Sequence, residues 1–285
     1  MVVLPNRIGT TRNRRVIVSV VGWTAAVLFA LPLLWMLSGS LRTGTDLFGS
    51  LFPLSPRILI PQEFTLANYS TLISGEFGRS VANSLFVTIV GVVVGLFVCA
   101  MSAFALSVLR FRGASFVFAL VVLSFLIPFD AIAVPLASLF RAWNLDNTYT
   151  GLILPGLANG FAIFVLRQFF LNIPGELAEA ARVDGLNWWG IFWRIYLPLS
   201  KPALIGAGFT LFLFQWGAYL WPLMIGTEPN KILGPIALSN LATQFKVDFG
   251  AIFAGACLLT VVPLVLLLFF QRHFTASLAA TGSKN

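Results

Sequence analysis

Charged side chains are absent from residues 16–41, 80–109, 147–166, 202–227 and 249–271, and residues 113–140 carry only Asp130. A charge is costly in hydrocarbon, so charge-free gaps mark candidate membrane spans more cleanly than average hydropathy does. A helix needs about 20 residues to cross the apolar core, and no other gap in the chain approaches that length. The pattern predicts six helices with cores at 16–38, 81–108, 114–139, 149–170, 203–225 and 250–271. An even count places both termini on one side. The fold class expected is an all-α integral membrane protein with six transmembrane helices.

Composition agrees. Of 285 residues, 58% are hydrophobic and 10% charged, and the mean hydropathy is +0.92. A soluble domain of that composition lacks the polar surface to stay in water. The first span follows a basic tail, but its apolar run exceeds the 7–15 residues usual for a signal peptide, and it is read as a retained helix.

The net charge of +8 fixes orientation. With the N-terminus inside, twelve Lys and Arg residues fall on inner segments against three acids, Glu176, Glu179 and Asp184; the outer segments carry six of each sign. The positive-inside rule therefore puts both termini in the cytoplasm. Residues 1–15 form a basic cytoplasmic tail, 16–41 the first span, and 42–80 an external loop, which its prolines make irregular with short helical pieces. Residues 81–272 form the main transmembrane domain, and 273–285 a second cytoplasmic tail.

Few residues invite chemistry. Cys99 and Cys257 sit in apolar runs and read as packing residues, and His273 is the single histidine. His-cluster metal sites and His-based triads are thereby removed, and so is a nucleotide loop of the G-x-x-x-x-G-K-[ST] kind, which does not occur. No metal and no cofactor is expected in the chain. An intramembrane enzyme would need a histidine or lysine within the spans, and there is none. A secondary transporter would be favoured by several intramembrane ionisable residues or an inverted repeat, and Asp130 stands alone.

The inner loop 172–202 is the most informative segment. Pro174 and Glu176 suit the first turn of a helix rich in Ala178, Ala180 and Ala181, which Asp184-Gly185 ends. Asn187 suits the cap of a second helix, Trp188 to about Tyr196, which Pro198 stops from continuing. The product is a helix–turn–helix bend on the inner membrane face, with Trp188, Trp189 and Trp193 at the interface. An amphipathic interfacial hairpin without further role is the plain alternative.

Within this loop Glu179-Ala180-Ala181 is followed after three residues by Gly185, after nine more by Ile195, and after one more by Leu197-Pro198. This spacing resembles the EAA motif of the membrane subunits of binding-protein-dependent ABC importers. Asp184 and Pro202 also match common positions. FTLANY at 64–69, Asn83-Ser84, AFALSVLRFRG at 103–113, NTYTGLILP at 147–155, LRQFF at 166–170 and LWPL at 220–223 resemble the carbohydrate branch, of the maltose-permease G type. One departure concerns Gly217 and Ala218, where relatives often carry polar residues after the tryptophan; polar solute contacts are not assigned there.

The resemblance implies a type I ABC importer permease fold and a non-enzymatic subunit. Its partners would be a second permease subunit, two cytoplasmic ATPase subunits that bind the ATP, and an external solute-binding protein. The solute would be a carbohydrate or, alternatively, a polyol or glycerol phosphate ester. Glu179 would contact the ATPase, Ala180 and Ala181 would pack closely against it, and Gly185 would form the bend. The outer loop 226–249 would reach toward the binding protein. Asp130, between Pro128 and Pro135, is expected to line a pathway through a span that Pro135 kinks, unless it lies near the outer surface or pairs with Arg141. Trp216, Tyr219 and Trp221 are candidates to stack on sugar rings or to anchor at the interface. The phenylalanines are expected to be mostly lipid-facing.

Overall fold

The computed structural model describes residues 8–43, 46–47, 63–109, 111–242 and 248–282, with side chains described for 14–43, 46–47, 63–109, 111–242 and 248–271. All regular structure among them is helical. The helices are α1 (Ile8–Ser40), α2 (Ala67–Ser74), α3 (Glu76–Ser107), α4 (Ala114–Leu126), α5 (Phe129–Ala142), α6 (Tyr149–Ile153), α7 (Gly160–Leu171), α8 (Gly175–Val183), α9 (Trp188–Leu199), α10 (Lys201–Trp216), α11 (Leu220–Ile225), α12 (Gly234–Ala242) and α13 (Phe249–Gly282).

Three helices are each long and apolar enough to cross a membrane: Arg14–Ser40, Glu76–Ser107 and Phe249–Gln271. Three further candidates are bent pairs: α4 with α5 at 98°, Tyr149–Gly156 with α7 at 44°, and α9 with α10 at 83°. Six spans were expected, one of them kinked, and three of the six candidates are broken.

Local chemistry explains the breaks. A residue before proline is pushed out of the helical region, and Ile127 ahead of Pro128 is extended (φ −78°, ψ 120°). The bend thus falls at Pro128, while the helix runs on through Pro135, which was expected to carry the kink. Asn159 restarts the chain as an N-cap, its side chain accepting from Ala162 N–H at 2.9 Å. The expected fifth span, 203–225, breaks at Trp216, and the short α11 begins after three intervening residues, with Pro222 in its first turn, where a missing N–H leaves no helical bond unmade.

The described residues divide into two compact units, those within 1–72 and 241–258, and those within 73–240 and 259–285. In the first unit, Asn68 donates from Nδ2 to the carbonyls of Ser40 and Arg42, each at 2.9 Å, and Tyr69 shares a 2.7 Å hydrogen bond with Ser40. Burial pushes the Tyr69 phenol above its ordinary pKa. Trp35 meets Phe253 edge-on at 5.1 Å.

In the second unit α3 packs against α7 and α10. Between residues 83 and 103 its inward face is small or polar: Asn83, Ser84, Val87, Thr88, Gly91, Gly95, Cys99 and Ala103 are buried. Its outward face holds Phe86, Ile89 and Val93, all exposed. Size rather than polarity sorts the two faces, as expected where lipid competes for apolar side chains and close backbone approach drives packing. A Cβ at Gly95 would lie 3.3 Å from the Leu157 carbonyl oxygen. Some phenylalanines also build the interior: Phe104, Phe140, Phe170 and Phe192 are buried.

Candidate functional site

The segment 172–202 folds as two helices joined by a tight bend. The first, α8, ends in a Schellman closure: Leu186 N–H donates to the Ala181 carbonyl at 2.9 Å and Gly185 N–H to the Arg182 carbonyl at 3.0 Å. Closure of this kind requires a left-handed residue, and Gly185 supplies it with φ +87°. Asn187 then caps α9, its Oδ1 accepting from Gly190 N–H at 2.8 Å.

The second helix differs from expectation. It continues through Pro198 to Leu199, by way of a π-turn over Phe192–Tyr196. Leu197 N–H reaches back five residues to the Phe192 carbonyl, and the wider turn accommodates the proline without ending the helix.

An aromatic cluster fixes this hairpin to the spans. Phe192 sits 5.3 Å from Phe104, and Tyr196 lies 5.1 Å from Phe104 and 5.5 Å from Phe170, ring centre to ring centre. Ile191, Phe192 and Tyr196 are all but fully buried. The sequence reading missed this anchor, although the i, i+4 spacing of Phe192 and Tyr196 is the signal for it. Trp188, Trp189 and Trp193 remain partly exposed, and Trp193 stacks on Phe97 at 5.9 Å.

The motif residues part into two faces. Ala181 is buried beside Ala178 in the core of this unit, so its small side chain admits the neighbouring elements of this same chain, and surface contact falls to others. Ile195 and Leu197 pack partly against that core. Glu179, Ala180, Asp184 and Pro198 are exposed. With them stand Leu177 and Val183, the latter 88% exposed. An acidic rim around exposed apolar residues on a short, firmly held helix is the composition of a docking surface. Arg182 lies over the Trp188 ring at 4.7 Å, which ties the two helices together.

Three other candidates lie elsewhere. Asp130 is exposed in the first turn of α5, where a carboxylate complements the helix dipole. It does not pair with Arg141, whose guanidinium donates to the Met224 carbonyl at 2.9 Å. Trp216 is buried, stacks on Phe212 at 5.7 Å and donates its indole N–H to the Leu259 carbonyl at 3.1 Å. Trp221 is buried likewise, donating to the Gly151 carbonyl at 3.0 Å. Tyr219 is exposed, with its hydroxyl 3.1 Å from Ser239 Oγ. Of the three aromatics considered for sugar stacking, only Tyr219 is exposed. No hydrogen bond, ion pair or ring contact joins Asp130, Trp216 and Tyr219 among the described residues. His, Cys, Asp and Glu form no group of three able to hold a metal among the described residues.

The chain is 36% identical over 91% of its length to the arabinooligosaccharides transport system permease protein of Halalkalibacterium halodurans, covering 92% of that protein. It is 33% identical over 89% of its length to the trehalose transport system permease protein of Mycobacterium tuberculosis, again covering 92% of the relative. Its fold matches a chain of a bacterial ABC transporter involved in import of the acidic polysaccharide alginate, with a TM-score of 0.81 at 23% identity, over 94% of this chain and 99% of that one. Residues 91–279 match the family described as binding-protein-dependent transport system inner membrane component, which takes in the EAA segment, and the chain belongs to that family.

Proposed function

We propose that this chain is the non-enzymatic, membrane-spanning permease subunit of an ATP-driven importer. With a second permease it forms the pathway for a carbohydrate brought by an external binding protein, while two cytoplasmic ATPase subunits bind the ATP. The sugars named for its relatives, arabino-oligosaccharides and trehalose, support the solute class. Six spans with both termini cytoplasmic follow from counting each bent pair as one crossing and from the inner excess of basic residues.

The observation that carries the reading is the two-faced helix α8. Its inner face is packed against its own spans, and its outer face offers Glu179, Ala180 and Val183 to a partner. Closure of the ATPase pair pushes on that outer face, and the aromatic anchor of α9 passes the displacement to the spans as a shift of packed elements. Glu179 makes the ionic contact, Gly185 keeps the bend, and Ala181, Ile195 and Leu197 hold the hairpin to the bundle. Asp130 and Tyr219 are the exposed polar candidates for the pathway, and Trp216 supports it by packing.

The test is solute uptake by the assembled complex carrying Glu179→Lys. A charge-assisted contact contributes about 1.5–3 kcal/mol, so docking of the ATPase should weaken by roughly 10- to 100-fold while the permease stays in the membrane at its normal level. Uptake at the unsubstituted rate would sink the assignment.

A further inference from the structure

Two sequence features are not absorbed by the coupling loop: Asn83-Ser84, and Asn147 with Tyr149. They lie on different elements, yet they converge on the segment after α11. Asn83, buried on α3, donates from Nδ2 to the carbonyls of Asn230 at 2.9 Å and Ile232 at 3.1 Å. Its Oδ1 accepts from the Tyr149 hydroxyl at 2.9 Å, so the amide uses both donor hydrogens and its oxygen. Ser84 Oγ accepts from Gly234 N–H at 2.8 Å.

Asn147 works from the other side. It adopts φ +53°, a left-handed conformation that asparagine tolerates. Its N–H donates to the Ile225 carbonyl at 2.7 Å, and its Oδ1 accepts from Thr227 N–H at 2.8 Å and Glu228 N–H at 2.9 Å. The Lys231 ammonium sits 3.8 Å above the Tyr149 ring. Main-chain groups of Ile225, Thr227, Glu228, Asn230, Ile232 and Gly234 are therefore all fixed by residues of the bundle.

The side chains of Thr227, Glu228, Pro229 and Asn230 are nonetheless exposed. A connector needs no such fixing of its backbone. A recognition edge does, because order already present in the free protein is not lost again on binding.

We propose that Asn83, Tyr149 and Asn147 are positioning residues that latch the tip 227–230 in the shape the external binding protein docks against. This rests on the importer reading above, which supplies the partner. It adds that the docking edge is set by polar side chains of α3 and of the turn leading into α6, and that α3 receives the load directly through Asn83.

The test uses the assembled transporter in lipid nanodiscs, with a spin label on Glu228→Cys in a background of Cys99→Ser and Cys257→Ala. Asn83→Ala and the milder Tyr149→Phe, which keeps the ring under Lys231, are each introduced. The expected result is a more mobile label in both. In unlabelled complexes, the concentration of sugar-loaded binding protein that half-stimulates ATP hydrolysis should rise by about tenfold for Asn83→Ala, which removes both hydrogen bonds from the amide to the segment, with the maximal rate within about twofold. If Asn83→Ala does not assemble, Tyr149→Phe carries the test. An equally immobile label in a stimulated complex overturns the latch. A lower maximal rate at unchanged half-stimulating concentration also overturns it, since that is what a merely structural role would give. No stimulation of the unsubstituted complex by any loaded binding protein overturns the importer reading and the docking role together, while the label still reports whether the latch holds the tip.

Discussion

The inner loop 172–202 and the start of the outer loop 226–249 are both connectors in the charge pattern, and they are secured by different means. The first is held by burial: Phe192 and Tyr196 plug into a pocket of Phe104 and Phe170, and within the hairpin polar bonds serve only to close α8 and cap α9. The second also buries Leu233 and Ile236, but its exposed tip and the flanks of that tip are held by hydrogen bonds between its own backbone and Asn83, Ser84 and Asn147. Apolar packing tolerates sliding over many nearly equivalent contacts, whereas a set of backbone hydrogen bonds is either made or lost. The first arrangement suits a part that transmits force while moving with its helices. The second suits a part that must keep one shape.

This contrast can be broken at either end. The largest effect belongs to Phe192→Ala, a large-to-small change at a site 1% exposed, for which the general cost is about 3–5 kcal/mol. The purified protein should lose thermal stability sharply, and a loss below about 1 kcal/mol would show that the hairpin does not depend on its plug. Ser84→Ala should cost about 1–3 kcal/mol by stranding the buried Gly234 N–H, measurable as faster hydrogen exchange confined to residues around 234. Exchange that rises equally around residue 185 would mean that the two segments are not separately secured. The smallest effect on stability is expected for Val183→Ser, within about 0.5 kcal/mol, because the side chain is 88% exposed. Affinity for the ATPase subunits should nevertheless fall several-fold in a co-purification titration, and unchanged affinity would remove Val183 from the docking face.

What the chain revealed in advance depended on range. Charge-free gaps located every long apolar helix, since exclusion of charge from lipid acts on each residue separately. Gly185 and Asn187 were legible for the same reason: the closure and the cap are local and require those residue types. Pro128 and Pro135 were not distinguishable by residue type alone, because whether a proline bends a span depends on whether neighbouring elements accept the freed carbonyl. Nor could the motif show which alanine faces where. Ala180 and Ala181 are adjacent and alike, and only the packing of α8 on the core separates an exposed one from a buried one. The outer latch joins residues about 150 positions apart, as in Asn83 to Ile232, and such pairs leave no local pattern to read.

The π-turn at Phe192–Tyr196 carries a last consequence. It accommodates one residue more than a regular helical turn, so everything beyond it is rotated by about 100° from where an unbroken helix would place it. A shortening of the chain by one residue there would leave a smoother helix and a worse protein. Tyr196 would turn away from Phe170, and Lys201 would begin the next span on the wrong azimuth. The irregular turn is thus a phase adjuster between the hairpin and the bundle, and its value lies in the angle it adds.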